Sequence, residues 1–242
     1  MPVNLRPTTD LLPLIAPYAP SCPAFLAEQM IRFAAIEFAE RTRAWRHIAH
    51  IEVTEGNAPP LLSGVIGEQE YDLLFTVGHV EGLDVLADVP AVAVIHEIEF
   101  AEFDGQRLTP VQFSTIASET TGAPQYITQV APNALTLIPF QPGKLSLSVF
   151  LKPASGSDYG GDADNPLFDS FNVVPDFFVT LHGDTIANGA LARILSIPNE
   201  PWTDEAKAAL YEARFREKLK TAFRSNMRGQ QRAKIRTTYR DF

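Results

Sequence analysis

Residues 202–228 read WTDEAKAALYEARFREKLKTAFRSNMR, and their periodicity constrains how the rest of the chain must be arranged. Apolar residues recur every four positions, and basic residues recur at the same spacing one position later. Side chains four apart lie on one side of an α-helix, so the two series predict neighbouring faces of a single long helix. We expect Thr203 to cap its start and Gly229 to end it. The apolar series is Tyr211, Phe215, Leu219, Phe223 and Met227, and the basic series is Arg216, Lys220, Arg224, Arg228 and Arg232.

Two other segments show helical spacing and can bury the apolar face of that helix. Apolar residues at spacings of three and four predict a helix over 24–46, whose stripe is Ile31, Ala34, Phe38, Thr42 and Trp45. A second helix is predicted from 174 to about 196, with Pro175 at its first position. Its many small residues allow close approach of a neighbouring helix. The sequence therefore predicts a helical core formed by 24–47 and 173–225.

Between these helices the hydrophobic period changes from about four to two. Short runs rich in Val, Ile, Leu and Phe alternate with Gly, Pro and Asn, which is typical of antiparallel strands and turns. Leu145, Leu147, Val149 and Leu151 alternate strictly, as in a half-buried strand. We therefore expect an α+β fold in which an antiparallel β domain, 48–153, forms a sandwich or a small barrel inserted into a discontinuous helical bundle. A polar loop rich in Gly and Asp is expected over 154–172.

The first 23 residues contain six prolines, which disfavour a regular helix. We expect 1–23 to form an extended strap held on another surface by its apolar residues. A frayed terminus is the alternative interpretation.

Basic residues are concentrated at the end of the chain. Residues 214–242 hold ten Lys and Arg against two acidic residues, a net charge of +8, whereas the preceding residues have a net charge of −17. Such a division indicates a basic arm that binds an acidic partner. We assign 214–224 to the helical core and 226–242 to a docking arm, although a solvated helix face is an alternative for 214–224. The candidate docking residues are Arg224, Arg228, Arg232, Lys234, Arg236, Tyr239, Arg240 and Phe242.

Catalytic and metal-binding motifs are missing from the sequence. It contains no GxSxG, HExxH, Walker, GxGxxG or CxxC pattern, and its five histidines are scattered. Asp158, Asp162 and Asp164 resemble a fragment of a calcium loop but lack the bidentate Glu of such loops. Cys22 is the only cysteine, which excludes an intramolecular disulfide and fits a reducing compartment. We therefore expect a protein without enzymatic activity, metal or cofactor, and with no segment that enters a membrane.

Several of these segments together resemble the head-to-tail adaptor proteins of tailed bacteriophages, the phiSU10-type adaptor family. Residues 186–194, IANGALARI, resemble the family's small-residue helix centre, and 197–202, IPNEPW, its Pro-rich break. Tyr211 and Phe215 match its Y-x-x-x-F core, and 34–46, AAIEFAERTRAWR, resembles its first helix. Residues 68–73 and 122–126 look like its strand landmarks. The resemblance covers most of residues 24–225 and leaves out the strap, the acidic stretch 78–104 and the basic tail.

The resemblance implies a virion structural protein at the head-to-tail interface, assembled in the host cytoplasm. It implies a ring of about twelve subunits beneath the portal protein, contacting neighbouring subunits and a tail or nozzle protein, with genomic DNA passing through the channel. Physically, the aromatic face of the long helix could enter a partner's groove while Arg residues pair with carboxylates. The residues expected to pack the helical core are Phe38, Trp45, Gly189, Ala190, Leu191, Trp202, Tyr211 and Phe215.

Two other functions remain open from the sequence. The basic arm could bind nucleic acid through phosphate contacts, which would give a steep dependence on salt. Alternatively, the β domain could bind a small molecule or a glycan, or the chain could be an unrecognised hydrolase.

Overall fold

A computed structural model describes residues 4–53, 63–66, 69–72, 76–77, 93–112, 122–131, 134–139, 141–154 and 173–227. This part of the chain has an α+β fold, with four α-helices and several β-sheets. The chain divides into two compact units. A β unit comprises Met1–Pro7 and Trp45–Asp176, and a helical unit comprises Thr8–Ala44 and Phe177–Phe242. Each unit is therefore assembled from two separate segments of sequence.

The strands and helices have the following bounds. The strands are β1 (Leu5–Pro7), β2 (Arg46–Val53), β3 (Ser63–Ile66), β4 (Gln69–Asp72), β5 (Thr76–Val77), β6 (Ala93–Phe103), β7 (Gln106–Arg107), β8 (Thr109–Pro110), β9 (Tyr126–Ala131), β10 (Ala134–Ile138), β11 (Gly143–Pro153) and β12 (Val173–Pro175). The helices are α1 (Leu12–Ile15), α2 (Ala24–Thr42), α3 (Asp176–Leu195) and α4 (Glu205–Met227). A short 3₁₀ helix, Thr8–Leu11, precedes α1.

The β unit is built around β11, which lies between two long antiparallel neighbours. The sheet order is β2-β11-β6-β7. The alternating residues of β11 predicted to face inward are buried, as the period of two requires, and β2 shows the same alternation. Those residues are Leu145, Leu147, Val149 and Leu151.

A second sheet has the order β5-β10-β9-β8 and departs from the prediction in one pairing. Strands β8 and β9 run parallel, although every other pair is antiparallel in the part of the chain that is described. Thr109 N–H donates to Gln125 O at 2.9 Å, and Val111 N–H donates to Ile127 O at 3.0 Å. The sheets do not close into a barrel, so the barrel alternative is wrong.

The three long helices α2, α3 and α4 pack together and form the core of the helical unit. Phe38 of α2 lies edge-on against Phe178 of α3, with ring centroids 5.2 Å apart, and both side chains are fully buried. The small residues of α3 are buried beside them, which permits the close helix approach expected from the sequence. These findings confirm three main helices that pack on one another.

Helix α2 ends earlier than predicted. Arg43 adopts the left-handed conformation (φ 52°), and its N–H donates to Ala39 O at 2.9 Å, which closes the helix after Thr42. A non-glycine residue in this conformation gives no periodic signal in the sequence. Trp45 consequently lies outside α2 and is the first residue of the second segment of the β unit, where its carbonyl accepts from Leu151 N–H at 2.7 Å.

The N-terminal strap is only partly extended. Leu5–Pro7 forms β1, which pairs antiparallel with β12, but helical turns follow over Thr8–Ile15. The prediction failed because Pro13 occupies the first turn of α1, where a backbone N–H is not needed and proline is tolerated. Leu11 and Ile15 are buried, so this segment is part of the helical unit.

The starts of the last two helices also differ slightly from the prediction. Pro175 ends β12 and precedes α3. At α4 the cap is Asp204, whose Oδ1 accepts from Lys207 N–H at 3.0 Å. Thr203 instead stabilises the preceding turn, because its Oγ donates to Ile197 O at 2.5 Å and accepts from Glu200 N–H at 3.0 Å.

Candidate protein-interaction surface

Most of the inward face of α4 is buried within the helical unit. Tyr211, Phe215 and Leu219 are buried, and Phe223 is half-buried. Burial of these side chains removes apolar surface from water and stabilises the helical unit. The suggestion that this aromatic series enters a partner's groove is therefore wrong for Tyr211, Phe215 and Leu219.

Phe215 is the centre of this packing. A Cβ at Gly189 would lie 2.9 Å from two atoms of the Phe215 ring and 3.1 Å from Ala34 Cβ, so only glycine fits between them. Arg193 holds the other side, with its guanidinium 5.8 Å from the ring centroid and in an ion pair with Glu37. Gly189, Phe215 and Ala34, which belong to segments that carry the adaptor resemblance, thus lie together where three helices pack.

The other predicted core residues lie at different depths. Ala190 and Leu191 are buried in α3. Trp202 is half-buried in the turn before α4, where its Nε1 is enclosed and has no hydrogen-bond partner in the described ranges. Trp202 thus flanks the core.

The C-terminal end of α4 is tied to the end of α2. Asn226 Nδ2 donates to Thr42 O at 2.9 Å, and the Arg43 guanidinium lies 5.7 Å from the centroid of the Phe223 ring. These two contacts fix the position at which the predicted arm begins.

The outward face of α4 is strongly basic. Its exposed cations are Arg214, Arg216, Lys218, Lys220 and Arg224. Arg216 Nε pairs with Glu212 Oε1 at 2.6 Å, an (i, i+4) contact of the kind that stabilises a helix only slightly. The remaining candidates for the docking arm lie outside the described residues, so their role stays a prediction. These are Arg228, Arg232, Lys234, Arg236, Tyr239, Arg240 and Phe242.

An exposed apolar surface adjoins this basic face. The ring centroids of Tyr18 and Tyr211 lie 5.8 Å apart, and the Arg214 guanidinium lies 5.7 Å from the centroid of the Tyr211 ring. Leu210 precedes Tyr211 and lies one helical turn from Arg214 on the same side of α4. Tyr18 is 54% exposed and Leu210 is 47% exposed. We call Tyr18, Leu210, Tyr211 and Arg214 the Tyr18 patch.

Little in the sequence indicated this patch. Tyr18 lies in the Pro-rich segment, and its contact with Tyr211 joins residues that are far apart in sequence. The available signal was the set of apolar residues between Leu11 and Tyr18, which indicated that the segment lies on another surface without indicating which one.

Charged groups on the outer face of the β11 sheet connect its strands. Glu99 accepts from Arg46 and from Ser148 Oγ, each at 2.7 Å, and His50 Nδ1 lies 3.0 Å from Ser146 Oγ. The Ser148–Glu99 and His50–Ser146 contacts join β11 to β6 and β2, and the Arg46–Glu99 pair joins β2 to β6, so these exposed contacts hold neighbouring strands together. The described residues contain no group of three or more His, Cys, Asp or Glu side chains that could hold a metal ion. Asp158, Asp162 and Asp164 lie outside them.

Four groups among the described residues have shifted pKa values with clear physical causes. Hydrogen bonds from the Lys207 side chain and backbone lower the pKa of the Asp204 carboxyl, and the same contact raises the pKa of Lys207. Desolvation lowers the pKa of His182, whose ring lies 4.7 Å from that of Phe38. Burial, with a smaller effect of Glu200, raises the pKa of the Cys22 thiol, which makes it a weaker nucleophile.

No protein-family model and no curated protein sequence matches this chain. In the described part, no helix has the length and apolar character needed to cross a bilayer.

Proposed function

We propose that this chain is a non-enzymatic virion structural protein of a tailed bacteriophage, a head-to-tail adaptor. In this function it forms a ring under the portal, joins the DNA-filled capsid to the tail and lines the DNA channel. Its partners are the portal protein, neighbouring copies of itself and a tail or nozzle protein. DNA passes through the ring without sequence-specific binding.

The observation that carries the proposal is that the aromatic face and the basic face of α4 have different roles. Its aromatic face is committed to α2 and α3, which leaves the basic face to interact with something outside the helical unit. Arginine is suited to paired hydrogen bonds with carboxylates, so this face favours an acidic protein surface. The same face continues in sequence into 226–242, where five more basic residues follow.

The anchoring of α4 also supports docking by the segment that follows it. Asn226 and Arg43 hold the end of α4 against the end of α2. A binding segment that starts from a fixed point loses less orientational freedom on binding than one that starts from a mobile end. The helical unit thus provides a rigid base from which the arm can reach the portal.

The resemblance adds support that is independent of charge. Gly189 lies against both Phe215 and Ala34 in the helical core, and the three residues come from three of the resembling segments. Residues that recur together in a family pattern often do so because they pack together.

Deletion of 228–242, which removes the basic residues of the arm and keeps the Asn226 contact, tests the proposal directly. We expect the shortened chain to fold, because the buried core residues of α4 precede the deletion, but to lose attachment to purified portal-bearing heads. Attachment can be measured by co-sedimentation and electron microscopy of the particles, with circular dichroism as the measure of folding. If the folded, shortened chain attaches as well as the full chain, the arm assignment is wrong.

A second variant separates charge from chain length. Replacing Arg228, Arg232, Lys234, Arg236 and Arg240 with Gln should weaken attachment while keeping the segment. A matched control replaces Arg107, Lys144 and Lys152 of the β unit with Gln and should attach normally.

Nucleic-acid binding is the competing function for the same cations. The exposed Arg and Lys residues of α4 would then contact phosphates, and the affinity for labelled DNA would fall steeply with salt. A salt-dependent shift of DNA that the five Gln substitutions abolish, with attachment to heads unchanged, would favour this alternative.

A further inference from the structure

The Tyr18 patch has the composition of a protein-binding site and is not covered within the helical unit. Tyr18 and Leu210 are about half exposed, although they lie directly beside the buried core residue Tyr211. Tyr and Arg are enriched among the residues that dominate protein–protein binding energies. Arg214 lies over the Tyr211 ring, so it can present a charged group beside an apolar one.

The charge around the patch selects the kind of partner. Lys218 lies one helical turn after Arg214 and is exposed, whereas Glu212 is already paired with Arg216. Asp204 is likewise paired with Lys207, at 2.8 Å. Glu217, which is also exposed, reduces the positive charge of this side without cancelling it. The patch therefore fits an acidic protein surface that offers an apolar side chain.

The chain itself carries such an acidic surface on its other unit. The residues of the β unit include five basic and eighteen acidic side chains, a net charge of −13, whereas Arg214 of the patch and its exposed neighbours Lys218 and Glu217 together have a net charge of +1. Among the described residues of the β unit, Glu52 and Asp104 are exposed, and Glu99 is exposed but already pairs with Arg46. Two copies can thus associate through surfaces of opposite charge.

We propose that the Tyr18 patch of one copy binds the acidic β unit of a second copy. This is a heterologous contact, in which each copy contributes two different surfaces, as a closed ring requires. The inference deepens the proposed ring of subunits and identifies the surface that would hold it. It rests on the ring of the proposed function but not on the docking arm, because all residues of the patch precede 226.

Self-association of the full chain tests this inference without any portal. We expect the weight-average mass measured by sedimentation to rise with protein concentration at low salt. The rise should be smaller near 1 M salt, where charges are screened beyond about 3 Å. The double variant Tyr18→Ala with Arg214→Glu should weaken association at least about tenfold, as expected for residues that dominate an interface.

Lys220→Glu is the matched control, because it makes the same charge change on the same exposed helix away from Tyr211. We expect it to associate nearly as well as the unmodified chain. Arg214→Glu alone is compared with it in case Tyr18→Ala perturbs folding, and circular dichroism checks each variant.

Three outcomes would overturn the proposal. The first is a chain that stays monomeric at all concentrations, even after cross-linking. The second is an equal loss of association in Arg214→Glu and Lys220→Glu, which would indicate nonspecific charge attraction. The third is binding of DNA, and not of a second copy, that depends on Tyr18 and Arg214. Loss of head attachment on arm deletion with a monomeric chain would leave the docking function standing while rejecting this surface.

Discussion

At the scale of single residues, the helical unit depends on one close approach. Gly189 lies where a methyl group would be 2.9 Å from the Phe215 ring, and that ring is fully buried and cannot swing away. Gly183, in the same helix, is less constrained, since its Cβ would meet Leu11 Cδ2 at 3.1 Å and a leucine can adjust. Alanine substitutions at the two glycines therefore distinguish the effect of packing on stability from the effect of helix propensity.

We expect Gly189→Ala to destabilise the chain by about 1–3 kcal/mol, the usual range for overpacking a core. This loss should appear although alanine favours a helix interior over glycine by about 1 kcal/mol. Gly183→Ala has the same gain in helix propensity. It should therefore lower the free energy of unfolding less than Gly189→Ala does, or raise it. Chemical denaturation of both variants measures the difference, and equal free energies of unfolding would contradict the role of Phe215.

At the scale of elements, helix ends were harder to predict than helix interiors. The apolar series of α4 and the spacing of α2 are properties of many residues, so a few exceptions do not hide them. The end of α2 depends on the single backbone conformation of Arg43, and α1 depends on where Pro13 falls within a turn. Thr203 was the expected cap of α4, and the hydrogen bond that Asp204 Oδ1 accepts from Lys207 N–H shows that the cap is Asp204.

The cap gives a pH-dependent prediction. The folded pKa of Asp204 lies below its ordinary value near 3.8. Its contribution to stability is therefore complete above that value and is lost as the pH falls through the lower folded pKa. We expect Asp204→Asn to lower the melting temperature at neutral pH, with a difference from the unmodified chain that shrinks at strongly acidic pH.

Thr203→Val is a suitable control for that experiment. It removes hydrogen bonds of the preceding turn, which involve no titrating group, so its effect on the melting temperature should not change over the same acidic range. A pH-independent difference for Asp204→Asn, which keeps an oxygen able to accept from Lys207 N–H, would show that the negative charge of Asp204 does not stabilise the start of α4.

At the scale of the whole molecule, the sequence predicted a helical unit interrupted by a β insertion, and the three packed helices confirm the first part. It could not predict the parallel pairing of β8 with β9 or the contact of Tyr18 with Tyr211, because both join distant segments without a local signal. Trp45 illustrates the same limit, since its spacing continued the stripe of α2 while its backbone pairs with β11.

The helical unit can be tested as an independent folding unit. Phe38 near the end of α2 contacts Phe178 near the start of α3, so the two chain ends left by removing 45–176 lie close together. We expect Thr8–Ala44 joined to Phe177–Phe242 by a short Gly/Ser linker to be helical and to unfold cooperatively. A non-cooperative thermal transition by circular dichroism would mean that the helical unit needs the β unit to fold.

The interrupted helical unit also imposes an order on synthesis at the ribosome. Helix α2 is translated long before α3 and α4, which supply the partners of Phe38 and Ala34. At about 5–20 residues per second, roughly 10–30 s pass between the end of α2 and the end of α3. During this interval the apolar face of α2 lacks its α3 and α4 partners while the β unit is synthesised. A nascent chain of this kind is a natural client for a chaperone that shields a single amphipathic helix.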